Sequence, residues 1–377
     1  MHRKRKVKTR RREPDAAKTG ALIRPLVAWF RQSARDLPWR RTRDPYAIWI
    51  SEVMLQQTQV NTVIPYWRRW MRALPTVRSL ARARTDKILK LWEGLGYYTR
   101  ARNLQKAARL IVEKHGGRFP EIFDAALALP GIGRYTAGAI CSIAFDQPTA
   151  VLDGNVMRVF TRLFGIGENP REPKTNTRLW ALAETMVQSA ASLSPTQEPT
   201  CSHLNQALME LGAVICTPRQ PKCHLCPLRK HCVAFRENRT DQFPNPGLRI
   251  APTRRRFAAF VVERRGRFLV RRRPAGAVNA RLWEFPNAEV DRRQPNVQQL
   301  ANNLFGSRPL LIQPLHQVRH TITRYRITLD VFRVEFADRL PAAVPQGRWC
   351  SLAEVRQRAF PSAHRQIARL LQARSSG

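Results

Sequence analysis

Four cysteines, Cys216, Cys223, Cys226 and Cys232, follow one another with six, two and five residues between them, and this spacing constrains the chain more than any other feature. It places four thiolates on one short loop directly after a helical pattern from Leu204 to Val214, so the loop must fold around whatever the sulfurs hold. Four thiolates suit either zinc or an iron-sulfur cluster. Zinc ribbons usually pair two C-x2-C knuckles across a longer loop. Only one knuckle is present here, which favours a 4Fe-4S cluster, with zinc or unliganded cysteines as the alternatives. Cys141, Cys201 and Cys350 stand outside the loop and read as buried small hydrophobes. Seven cysteines, an odd number with four crowded together, do not form a secreted disulfide framework. A reducing cytosol fits them better.

The rest of the chain divides by texture. From Ala21 to about Ala234 apolar residues recur at three- and four-residue spacing, with breaks at Pro38, Pro75, Pro120, Pro130, Pro170 and Pro195, which predicts helices and no strands. Phe235 to Arg256 holds Pro244, Pro246, Gly247, Pro252 and a basic triplet, and reads as an exposed linker. Beyond it, runs beginning at Phe257, Arg267 and Tyr325 are β-branched and aromatic, with helical patterns near Leu352 and Ile367. The expected organisation is a disordered basic tail over 1–20, a helical domain with the cysteine loop over 21–234, a linker over 235–256 and a smaller α+β domain over 257–377. No run of about 18 apolar residues exists, so no membrane-spanning helix is expected.

Lys and Arg number 66 against 27 Asp and Glu, a formal charge of +39 that exceeds what solubility requires. Such a surface attracts a polyanion, and nucleic acid is the leading partner. The plainer alternative is a supercharged soluble protein. Met1 to Arg12 is mostly Lys and Arg, without the apolar segment of a signal peptide, and reads as an arm for phosphates.

Three further features carry chemistry. Leu129 to Gly138 ends one helical pattern at a proline and opens the next after Gly131 and Gly133. A glycine turn can point backbone N–H groups outward at the positive end of the following helix, where a DNA phosphate fits, although most such turns are only turns. Asp153, twenty residues after Gly133, precedes a helical run. It is a candidate N-cap whose helix dipole should keep it ionised, as a positive sugar intermediate requires. Glu52 lies about two turns into a helix opened by Asp44 and Pro45, among Ile48, Trp49, Val53, Met54 and Leu55. Burial there would raise its pKa until it holds a proton near neutrality, whereas a surface glutamate would not. Together the two carboxyls would divide the work, one kept as acid and one as anion.

The cysteine loop, the glycine hairpin and Asp153, in this order, resemble the helix-hairpin-helix glycosylases related to endonuclease III. Leu37 to Arg40, Ser51 to Thr58, Gly94 to Tyr98 and Leu204 to Gly212 are similar to the MutY-type adenine DNA glycosylases, with few gaps from about Val27 to Cys232. The resemblance implies a mainly α, two-lobed fold with a 4Fe-4S loop on Cys216, Cys223, Cys226 and Cys232, followed by a smaller α+β Nudix-like domain. It implies removal of adenine mispaired with 8-oxoguanine or guanine from duplex DNA, with the base flipped out because its glycosidic bond and N7 cannot be reached together in the stack. The protein would act as a monomer in the bacterial cytoplasm, at the nucleoid.

By the same resemblance Glu52 protonates adenine at N7, Asp153 stabilises the oxocarbenium-like sugar, and Asn155 holds the catalytic water or Asp153. Gln57 matches the residue wedged into the base stack and Tyr97 an aromatic beside the lesion. Thr58 and Leu95 fall near the opposing base, and Arg40 and Gln206 line the adenine pocket. Tyr135 joins the catalytic set at the place where glycosylase-lyases carry a Schiff-base lysine, and Met157 stands at a second such place. That argues against an endonuclease III-like glycosylase-lyase, and the two carboxyls argue against a non-catalytic iron-sulfur DNA-binding protein. Arg267 to Arg271 and Arg281 to Pro286 are similar to the Nudix-like domain that reads 8-oxoguanine in this family. No glutamate-rich metal-binding helix accompanies them, so pyrophosphatase activity is not expected. The family's Phe-Ser-His turn is replaced by Ile322, Thr323 and Arg324, in which Thr323 keeps a hydroxyl.

Overall fold

The computed structural model describes residues 16–193, 200–247, 251–290, 296–337 and 344–374. Residues 1–15 of the expected basic arm and the break at Pro195 lie outside them, and the first helix, Ala16–Ser33, takes in the arm's last residues. Two compact units result: Met1–Arg68 with Leu110–Leu248, and Arg69–Arg109 with Arg249–Gly377.

The described residues of the first unit are helical and contain no strand, as the apolar spacing predicts. At the start of the helix Pro45–Leu55 the Asp44 carboxylate accepts from the Tyr46 N–H at 3.0 Å, and Pro45 occupies the first helical position, where its missing N–H matters least. Every residue from Tyr46 to Met54 is buried. A helix without a polar face has to sit inside, and this one packs against the helix Arg134–Phe145. Helices Gly154–Leu163, Pro173–Ser192 and Thr200–Val214 share a core built from Phe160, Leu179, Leu204 and Leu208. Each such side chain contributes about 1.5–3 kcal/mol on burial. Cys216, Cys226 and Cys232 pack against the same core, so the cysteine loop and the helix that Asp153 caps share one foundation.

The second unit combines helices Val77–Arg82 and Thr85–Trp92 and the start of Thr99–Lys114 with a seven-stranded sheet. Its strands are β1 (Thr253–Arg264), β2 (Arg267–Arg272), β3 (Trp283–Glu284), β4 (Asn287–Glu289), β5 (Leu311–Ile322), β6 (Tyr325–Glu335) and β7 (Gly347–Ser351). They run in the order β3-β2-β1-β6-β5, with β4 also on β1 and β7 on β2. β1 is parallel to β6, and the remaining pairs are antiparallel. The run from Phe257 is almost continuously apolar because both of its faces are covered. Ala259 and Val261 meet Ile367 and Leu371 of the helix Ser362–Arg374, while Ala258, Phe260 and Val262 meet Ala301 and Phe305 of the helix Val297–Phe305. β1 starts at Thr253, so the triplet Arg254 to Arg256, whose composition reads as linker, is strand paired with β6.

Glu93 ties the helices of this unit to the sheet domain. Its carboxylate accepts from the Phe360 N–H at 2.8 Å, from Arg365 Nε at 2.8 Å and from Lys90 Nζ at 2.7 Å. Nearby, the Tyr98 hydroxyl donates to the Phe360 carbonyl at 3.2 Å and Arg102 Nη1 to the Ala280 carbonyl at 2.9 Å.

Candidate active site

Glu52 is 6% exposed, and its Oε2 accepts from the Tyr135 hydroxyl at 2.8 Å. Tyr135 stands on the first turn of Arg134–Phe145, the helix that the glycine hairpin leads into. Burial pushes the Glu52 carboxyl up to about 7; the Tyr135 bond opposes the rise and the neighbouring Asp153 charge adds to it. Glu52 therefore keeps its proton to much higher pH than an exposed glutamate does. The Tyr135 phenol is itself pushed well above its ordinary value, by burial and then by the two carboxyls, so it stays a hydroxyl donor. Its oxygen lies 3.2 Å from Met209 Sδ.

A cavity of about 840 Å³ is lined by Glu52, Tyr135, Asp153, Asn155, Arg40 and Gln206, and Gln57 and Thr58 also border it. That volume can hold a heterocyclic base with part of its sugar.

Asp153 caps the helix Gly154–Leu163 through Oδ1, which accepts from the Val156 N–H at 2.8 Å, while Oδ2 accepts from Asn155 Nδ2 at 2.8 Å. The expected depression of its pKa by the helix end needs correction. Burial raises the carboxyl above its ordinary value and outweighs the Val156 N–H, the Asn155 amide and Arg158, which all favour the anion. A helix terminus acts over its last turn, whereas loss of water acts on the whole group. What separates the two carboxyls is the number of donors each receives.

Asn155 is held in turn. Its Oδ1 accepts from Arg158 Nη2 at 2.8 Å; the same nitrogen donates to the Gly212 carbonyl at 2.7 Å, and Arg158 Nε donates to the Cys216 carbonyl at 2.7 Å. Gly212 is required for this approach, since a Cβ there would come within 2.6 Å of the Asn155 Cβ and 3.0 Å of its backbone.

Behind Arg40 lies an acceptor that sequence reasoning passed over. Glu210 is 1% exposed and accepts from Arg35 Nε at 2.7 Å, Arg35 Nη2 at 2.8 Å and Arg40 Nη2 at 2.9 Å. Burial alone would raise this carboxyl, yet the bonds from Arg35 and Arg40 bring it down to about 2. The available signal was the one that marked Glu52, a glutamate inside an apolar run, here Leu208 to Leu211. Glu210→Ala should lower unfolding stability by about 3 kcal/mol, because it leaves the inner guanidinium of Arg40 without its carboxylate while the more exposed Arg35 recovers solvation. Urea unfolding reads this directly, and an unchanged midpoint would show that the cluster contributes nothing net.

In the hairpin Gly131 has φ +80, which demands glycine, but Gly133 has φ −98 and nothing within 4 Å of a Cβ position. Neither strain nor packing explains the second glycine. An open helix start without a side-chain cap leaves room for a backbone anion to come close. Gln57 holds a left-handed backbone at φ +58, and Thr58 Oγ1 reaches the Gln56 carbonyl at 3.4 Å. In the second unit Leu95 is buried, while Tyr97 is 43% exposed at φ +44 with Arg100 over its ring. Thr323 turns the β5 to β6 hairpin at φ +49, and its hydroxyl donates to the Ile322 carbonyl at 2.7 Å. Arg324 Nη2 donates to the Tyr325 hydroxyl at 3.2 Å.

None of the four loop cysteines is in a disulfide. Arg162 Nη1 stands 3.4 Å from Cys216 Sγ. Among the described residues no three His, Cys, Asp or Glu side chains are gathered closely enough to hold a single ion. A mononuclear zinc site would need its sulfurs all within about 2.3 Å of one point. The all-sulfur donor set on a loop of this length fits a polynuclear cluster better.

Residues 50–185 match the HhH-GPD superfamily base excision DNA repair protein, residues 216–232 the iron-sulfur binding domain of endonuclease III, and residues 258–370 a NUDIX domain. The adenine DNA glycosylase of Rattus norvegicus is 36% identical over 425 aligned residues, covering 96% of this chain and 80% of the relative. This chain belongs to the adenine DNA glycosylase family. The human adenine DNA glycosylase is 35% identical, with 96% of this chain and 76% of the relative covered. That of Buchnera aphidicola from Schizaphis graminum is 36% identical over 268 residues, covering 70% and 74%. A solved thermostable thymine-DNA glycosylase superposes with a TM-score of 0.52 at 32% identity, over 59% of this chain and all of the other.

As an adenine DNA glycosylase of base-excision repair, the protein binds DNA and hydrolyses an N-glycosyl bond. It carries a 4Fe-4S cluster, which Cys216, Cys223, Cys226 and Cys232 would hold and which would fix the course of their loop. The mainly α glycosylase fold and the smaller Nudix-like domain expected from sequence are both present. Among the described residues of this glycosylase no helix is long and apolar enough to cross a membrane.

Proposed function

We propose that this glycosylase excises adenine paired with 8-oxoguanine or guanine in duplex DNA, as a monofunctional monomer at the nucleoid of the bacterial cytoplasm. One observation carries the reading: a buried carboxyl poised near neutrality, bonded to Tyr135, shares a base-sized cavity with a capped aspartate. Flipped adenine enters this cavity between Arg40 and Gln206. Glu52 gives its proton to N7, so the electron pair of the breaking bond to C1′ leaves on a neutral base. Asp153, steadied by Asn155, faces the positive sugar until water adds at C1′ and gives up a proton. Gly131 and Gly133 hold a phosphate. Gln57, Thr58, Leu95, Tyr97 and Thr323 serve the side of the opposing base, with catalysis in 21–234 and readout in 257–377.

Tyr135 and Met157 offer no amine, and a Schiff base needs one. A duplex with adenine opposite 8-oxoguanine should be cut at the adenine only after alkali, faster than its guanine counterpart, and borohydride should trap no covalent complex. Efficient trapping, or cutting without alkali, would overturn the monofunctional reading. Equal rates on the two duplexes would overturn the preference.

A further inference from the structure

The register of three strands builds a basic surface outside the cavity. Arg254 of β1 lies beside Arg326 of β6, which lies beside Thr321 of β5; two residues further on, Arg256, Thr328 and Arg319 form the next row, and Ala258, Asp330 and Gln317 the third. Strand alternation puts all three rows on one face of the sheet, the face that Ala258, Phe260 and Val262 continue under the helix Val297–Phe305. Arg254, Arg256, Arg319 and Arg326 are exposed. Among the described residues of these rows Asp330 is the one carboxylate, and it accepts from Arg256 Nε and Gln317 Nε2.

Arg254 pairs in register with Arg326, which sets two cationic side chains side by side on neighbouring parallel strands. The main-chain ladder sets the stems of Arg254 and Arg326 one strand spacing apart, about 4.8 Å, those of Arg256 and Arg319 two spacings apart, and the two rows about 6.8 Å apart, which suits a ligand bearing a series of charges. Thr328, between Arg256 and Arg319, and Thr321, beside Arg326, add hydroxyl donors. The first row directly precedes the hairpin, since Ile322 pairs with Tyr325 one step beyond Thr321 and Arg326.

We propose that this face is a second DNA-binding site, which takes the phosphodiester backbone beside the Ile322 to Arg324 turn. It holds backbone and reads no base, so it does not depend on how the turn recognises the opposing purine. Phosphate contacts position a duplex and add affinity that falls with salt, by a logarithmic slope of about 0.9 per phosphate.

The test uses the full-length, cluster-loaded protein and the double variant Arg254→Gln, Arg326→Gln. Two duplexes serve as probes, one fully paired and one with 2′-fluoroadenosine, which resists cleavage, opposite 8-oxoguanine. The expected result is roughly tenfold weaker binding to both near physiological salt, with a salt slope shallower by about 2. Single-turnover excision at saturating enzyme should stay unchanged. Should the double variant melt early, Arg319→Gln on the same face should still weaken binding by a few fold and reduce the slope by about 1. Unaltered affinity and slope would overturn the proposal, as would a loss confined to the 8-oxoguanine duplex with the slope retained, which would mark a base contact.

Discussion

Glu52→Gln should bind mispaired duplex normally and excise adenine about 10²- to 10⁴-fold more slowly, the range that a positioned general acid contributes. The amide keeps the shape of the side chain and an oxygen that can accept from Tyr135, but it has no proton to give. In the native enzyme the acid form disappears as pH rises through about 7, so single-turnover excision should fall above neutrality. The variant should show no such fall. Stability moves in the same direction with pH. The folded protein binds the Glu52 proton more tightly than the unfolded chain, whose glutamate titrates near 4.5. Stability is therefore complete below that value and declines as pH rises to about 7, by up to about 3 kcal/mol. Above neutrality Glu52→Gln should be more stable than the native protein, and at pH 5 the two should nearly coincide. Thermal unfolding at the two pH values tests this, and equal stability at pH 8 would mean that no buried anion is being strained. Wild-type excision by the variant would remove Glu52 from the acid role.

Asp153→Asn should also lose excision, on the order of 10³-fold, while folding and DNA binding persist. Asparagine is as good an N-cap as aspartate, so the bond to the Val156 N–H survives and the helix Gly154–Leu163 keeps its start. Charge opposite the forming sugar cation is what vanishes. Asn155→Ala should be milder, because it removes the side-chain amide donor to the carboxylate and leaves the backbone donors and the charge in place. If Asp153→Asn excised adenine within a few fold of the native rate, the aspartate would be a cap and nothing more. A lower melting temperature with excision intact would point the same way.

The parts legible in sequence were the local ones. Asp44 and Pro45 announce a helix, and the unbroken apolar run behind them announces that the helix is buried, which is enough to single out Glu52. The cap at Asp153 is likewise written within four residues. Its pKa was not, because burial by distant helices outweighs the nearby dipole. Glu210 with Arg35 and Arg40, Tyr135 with Glu52, and Arg158 with Cys216 join residues 175, 170, 83 and 58 positions apart, and no periodicity reports such pairs. The strand character of Arg254 to Arg256 was hidden for a related reason. Three arginines after a proline look like solvent-exposed coil until a parallel neighbour, β6, supplies the other half of the ladder.

The bonds made by Glu93 have a consequence for the nascent polypeptide. Its partners Phe360 and Arg365 follow it by 267 and 272 residues. At the usual pace of translation the helix Thr85–Trp92 leaves the ribosome tens of seconds before the residues that complete its surroundings exist. The first unit is also divided in sequence, since 69–109 interrupts it, so that segment has to wait while the helices on either side assemble. Such long-range closure slows folding and prolongs the exposure of apolar surface. Synthesis of this enzyme should therefore lean on chaperones during that interval, and a ribosome stalled in the 235–256 stretch would display a helical body whose Glu93 still lacks the Phe360 N–H and the Arg365 guanidinium.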